Sequence, residues 1–223
     1  MSTLLSNTAR QSQSVTVTAN SVIRNTYTLL SMTLLFSALT AGISMMLKLP
    51  HPGLLLTLGG YFGLLFATSR FRNSGLGLVF VFALTGFMGY TLGPILNSYL
   101  IMANGSQIVM TAMAGTGTIF LALSGYALVS RKDFSFMGGF LMTGILVAFL
   151  AGLAAVVFEM PGLSLAVSSM FILLMAGLIL YETSNIIHGG ETNYIMATVT
   201  LYVSIFNLFT SLLHLLGFAS SDN

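Results

Sequence analysis

Residues 178–209 read LILYETSNIIHGGETNYIMATVTLYVSIFNLF. Two long apolar segments meet here at a short polar turn, HGGETN, residues 188–193. Upstream, Leu163 to Tyr181 is almost wholly apolar and runs straight into a carboxylate, Glu182. Crossing a bilayer takes about 20 such residues. The stretch therefore reads as a hairpin of two transmembrane helices, and the solvent around it is lipid.

The rest of the chain agrees. Its 223 residues are 56% hydrophobic and 5% charged, with a mean hydropathy of +0.95. Soluble domains carry about 25% charged residues, so this chain cannot cover a water-facing surface. The seven Lys and Arg sit at the ends of apolar runs. Membrane topology accounts for them there, and no nucleic-acid partner is implied. The absence of Cys excludes disulfides and thiolate metal or redox sites. No nucleophile triad, phosphate loop or zincin helix is present, so the chain is not expected to be an enzyme and no catalytic residue or cofactor is assigned. His188 and Glu191, with Asn193, read as a solvated turn. Two loop ligands are too few for a metal.

Seven apolar runs follow one another at about 27–47, 53–69, 75–97, 107–129, 136–158, 163–187 and 196–218. Short punctuation separates them: KLPHPG, SRFRNSG, SYLIMANGSQ, SRKDFS, EMPG and HGGETN. Only helices and closed barrels satisfy the backbone in lipid, and these runs are too long for barrel strands. The expected fold is all-α: a polytopic membrane bundle of seven transmembrane helices, residues 25–219. Residues 1–24 are polar without an apolar period and read as a flexible tail. Residues 220–223 form a short C-terminal tail. Six Lys and Arg lie on the N-terminal side of the expected topology against Lys48 on the other. That bias makes the N-terminus cytoplasmic and the C-terminus external. Gly59 with Gly63 and Gly89 with Gly93 form GxxxG pairs that suit close helix contacts.

The polar residues inside spans carry the functional candidates. Glu182 either reaches the interface and is solvated or faces the bundle interior, where an ionisable group marks a proton site, an ion path or a switch. Asn185 lies three residues on, on the same face. In the seventh span Thr200, Ser204, Asn207, Ser211 and His214 recur at spacings of 4, 3, 4 and 3. This stripe faces protein or water, as interhelical hydrogen-bonding glue or as a pathway. A hairpin turning near Gly190 brings Glu182 level with Thr198 to Ser204. In the third span Gly93-Pro94 interrupts an apolar helix. Pro removes a backbone donor there, giving a kink or a hinge.

GYTLGPIL (89–96), TGTIF (116–120), LYETSNI (180–186) and LYVSIFNLFTSLLHLLG (201–217) resemble the signature segments of the Bax inhibitor family of seven-helix membrane proteins. The resemblance covers roughly residues 22–219. It implies six helices wrapped around a central seventh. It extends to bacterial inner-membrane members that modulate a membrane-embedded AAA protease of the FtsH type, which makes such a protease the expected partner beside the lipid bilayer. Other members are described as pH-sensitive calcium leaks, sensing protons through one acid in the sixth helix and one in the seventh. Glu182 stands at the first position. Ser204, which is not an acid, stands at the second.

Overall fold

The computed structural model describes the backbone of residues 2–221 and the side chains of residues 19–220. Seven α-helices follow in order: α1 Ser2–Met46, α2 Leu54–Arg70, α3 Gly75–Leu100, α4 Gly105–Ser130, α5 Gly138–Val157, α6 Pro161–Ile187 and α7 Tyr194–Ser221. A single 3-10 turn, Ser135–Met137, leads into α5, and there is no strand among the described residues. Six helices are long and apolar enough to cross a membrane: α1 from Ala19, and α3 to α7. The shorter apolar helix, α2, has 17 residues, or about 25 Å at 1.5 Å per residue.

The helix ends follow local chemistry. Gly53 precedes α2 with φ 83, a conformation that side chains resist. Pro161 opens α6 at a first-turn position where its missing N–H costs nothing. Asn193 caps α7: its Oδ1 accepts the N–H groups of Ile195 and Met196 at 3.1 Å.

α1 is continuous from Ser2, so no break marks the tail boundary expected at residue 24. Residues 1–18 lie outside those whose side chains are described. From Ala19 on, α1 has a buried face made by Ala19, Val22, Thr26, Leu29, Leu30 and Thr33. Val22 packs with Ile186 and Ala197. Ala19 and Val22 of this face lie inside the stretch whose Ser/Thr/Asn content read as tail.

α1 packs most extensively on α3. Added Cβ atoms at Gly89 and Gly93 would strike Ser37, Thr40, Ala41 and Ser44 of α1, so glycine permits this approach. Gly59 and Gly63 differ: nothing lies within contact of either, and the close contact of α2 is Gly60 against Phe87. Pro94 sits inside α3 and cannot donate to the Tyr90 carbonyl four residues back. Ser44 of α1 donates to that carbonyl at 3.0 Å. The break in α3 is thus mended from the neighbouring helix.

α7 packs against α1, α3, α4 and α6; α2 packs on α3, and α5 on α6. One end of the bundle gathers the α2–α3, α4–α5 and α6–α7 connections. There, the Asn193 amide donates to the Arg72 carbonyl and to Asn73 Oδ1 at 3.1 and 2.8 Å. Ser184 donates to the Lys132 carbonyl at 3.0 Å and accepts from the Phe134 N–H at 3.0 Å. Arg70, Arg72, Arg131 and Lys132 lie in or beside these connections. Lys48 lies in the α1–α2 connection, which the Tyr90 hydroxyl ties to α3 through the Pro50 carbonyl at 2.8 Å. The outward surface is apolar, with Leu35 73%, Leu55 86%, Val129 87% and Leu173 75% exposed. Apolar exposure on this scale marks a membrane-facing wall.

Candidate functional site

Glu182 lies on the last turns of α6 and is buried, 5% exposed. Asn185 follows it on α6, and a second acid, Glu191, lies on the α6–α7 turn, where its N–H donates to the Asn185 carbonyl at 3.3 Å. The turn is held tightly. The Gly190 N–H donates to the Asn185 carbonyl at 2.9 Å and the Gly189 N–H to the Ile186 carbonyl at 3.2 Å. Gly189 has φ 77. This is a Schellman closure, with glycine at the left-handed position. Glu191 folds back and accepts the Asn193 N–H at 2.7 Å. The turn that read as merely solvated thus also caps α7, through Asn193.

The residues after Glu182 each face a different neighbour. Thr183 is fully buried. Its hydroxyl meets Tyr27 of α1 and Ser124 of α4 at 3.2 Å each, and Tyr27 meets Ser124 at 2.8 Å. Three hydroxyls from three helices close a triangle. Ser184 fastens the α4–α5 connection. Tyr181, just before Glu182, abuts Gly138 at the start of α5. Four consecutive polar residues cover all sides of a helix, since 100° separates each from the next. Sequence reasoning looked along one face and missed Tyr27, Ser124, Thr183 and Ser184. The contiguous run ETSN was the signal: α6 is enclosed at this level.

The stripe on α7 is arranged differently. Ser204 is fully buried, and its hydroxyl donates to the Thr200 carbonyl at 2.7 Å. The Asn207 amide donates to the Val203 carbonyl at 2.8 Å. These bonds turn back onto α7 itself. Ser211 is buried and Thr200 half-buried. His214 reaches another helix: its Nδ1 lies 2.8 Å from Ser168 Oγ of α6. Among the described hydrogen bonds none joins Glu182 to Ser204. Ser204 and Asn207 thus spend their donors on the carbonyls of α7 itself, and His214 alone of the stripe is seen bonded to α6. Gly93-Pro94 stands apart from this site, packed on Ser44.

The family profile described as inhibitor of apoptosis-promoting Bax1 matches residues 19–221. The chain belongs to the Bax inhibitor family. Within the Bax inhibitor family the chain is similar to the modulator of FtsH protease YccA of Escherichia coli K12. The two are 55% identical over 206 residues, 92% of this chain and 94% of the relative. The same identity and coverage hold for the inner membrane protein YccA of E. coli O6:H1. An uncharacterized protein of Pseudomonas aeruginosa is 53% identical over 202 residues, 91% of each chain.

Proposed function

We propose that this chain is a bacterial inner-membrane regulator that binds a membrane-embedded AAA protease of the FtsH type and modulates degradation of membrane proteins. The reading is carried by its 55% identity, over 92% of its length, to a protein named as a modulator of FtsH protease. All seven helices span, the N-terminus is cytoplasmic and the C-terminus periplasmic. In this reading Arg24, Arg70, Arg72, Arg131 and Lys132 face the cytoplasm. The polar tail, residues 1–24, then offers the cytoplasmic ATPase a handle. No residue of the chain performs catalysis.

Affinity purification of tagged protein from native membranes in mild detergent tests the reading. The protease is expected to co-elute, and overproduction should lengthen the half-life of its membrane substrates. If the protease is absent from the eluate and half-lives are unchanged, the reading fails. Deleting residues 2–18 should leave the protein folded and slow its own degradation.

A second reading is favoured by one observation, a carboxylate 5% exposed inside a membrane-spanning helix. In it the chain leaks calcium or protons past Glu182, with Asn185, Ser204 and Asn207 along the path. Liposomes loaded with a cation-sensitive dye decide it. Ser204→Asp, which rebuilds the acid pair of the leaking relatives, should raise a pH-dependent flux. No flux from either protein removes this reading.

A further inference from the structure

A cavity of about 400 Å³ opens between α1, α3, α4 and α7. It lies in the half of the bundle away from Glu182, beside Leu34 to Met45 of α1 and Tyr202 to Phe209 of α7. Its rims, Ala38 on α1 and Met113 on α4, are exposed on the apolar wall. Its floor, Tyr202 and Phe209, is buried. The polar atoms along it already have partners. Ser37 Oγ meets the Tyr202 hydroxyl at 2.6 Å, and the Thr116 hydroxyl donates to the Ala112 carbonyl at 2.7 Å. A buried water needs two to four polar partners, and this lining, apolar apart from hydroxyls already bonded, suits water poorly. An empty cavity would forfeit dispersion contacts along its whole lining.

We propose that this cavity holds an acyl chain of a membrane lipid, entering sideways between α1 and α4. Size argues for a chain over a partner helix. A helix is about 10–12 Å across with a 5.4 Å pitch, so 400 Å³ is filled by roughly one turn of it. A methylene is close in size to a water molecule, whose share of liquid volume is about 30 Å³. The cavity therefore takes a chain of about a dozen carbons. Position argues the same way, because the liquid against an apolar wall at this depth is lipid hydrocarbon. Missing side chains keep the space open: Gly42 and Gly117 both line it, and a Cβ on either would meet nothing within 4 Å.

The full chain, in liposomes containing a phosphatidylethanolamine with a mid-chain diazirine, tests this by irradiation and peptide mapping of the adducts. Bulk lipid labels Leu35 and Leu39, which are 73% and 57% exposed. Only an inserted chain labels Tyr202 and Phe209, which are 1% and 9% exposed. Adducts on these two floor residues are expected in the parent. Gly117→Leu should abolish them and leave those on Leu35 intact. Gly42→Leu, from the opposite wall, should do the same and serves if Gly117→Leu does not fold. Adducts confined to the outer wall of the parent overturn the proposal. So does floor labelling that persists in both folded variants, or floor residues that cross-link to another protein in native membranes.

Discussion

The burial of the Glu182 carboxyl leaves it little water. Glu182→Gln keeps the shape and removes the titration. Thermal stability of parent and variant should diverge across about pH 5 to 8, because a proton-binding difference between folded and unfolded states is a slope of stability against pH. Superimposable profiles would mean that the carboxyl binds its proton alike in the folded and unfolded states, and the prediction fails. Glu182→Lys should damage the bundle, since it forces a longer, cationic side chain into a buried position. Asp133 offers a contrast outside the spans. It accepts the Ser135 N–H at 2.8 Å, and that bond holds its carboxyl below the usual aspartate range. A depressed folded value means the contact is present above the unfolded value, about 3.9, and is lost as pH falls through the folded one. Amide exchange at Ser135 should therefore lose protection on acidification. Asp133→Asn should flatten that response, and unchanged pH dependence in the variant would refute it.

The mended break in α3 is a question of paired elements. Ser44→Ala leaves the Tyr90 carbonyl without a donor and should cost about 1 kcal/mol. In a Pro94→Ala background, where the helix supplies its own N–H, the same change should cost less, and a double-mutant cycle in thermal melts reads the difference. Equal costs in both backgrounds would mean that Ser44 does not serve the proline. The helices themselves were legible in the sequence because a bilayer demands runs of fixed length, and the turn residues cut those runs cleanly. The Gly89–Gly93 contact was legible too. Gly59–Gly63, of the same spacing, faces open space, because a motif on one helix does not say which side meets a neighbour. The triangle of Tyr27, Ser124 and Thr183 was hidden for the same reason: each hydroxyl is ordinary on its own helix, and only the packing of three helices brings them together. The packing of Val22 was masked by composition, since Val22 and Ile23 stand among Asn, Ser and Arg.

For the whole molecule, the clustering of basic residues at one end makes a topology prediction. Reporter fusions at Ser2 and Asn223 should report opposite sides of the membrane, cytoplasmic and periplasmic. The same answer at both would mean that α2, at 17 residues, does not cross. The contact between Ser44 and Tyr90 also bears on how the protein is made. Synthesis delivers α1 before α3, so the hydroxyl that completes the proline-broken helix is already in place when that helix leaves the ribosome. The hydroxyl triangle, by contrast, waits for Thr183, more than 80 residues after Pro94. Membrane insertion can thus settle the first three helices as a unit before the second half of the chain exists, leaving the Glu182 end of the bundle as the last part to close.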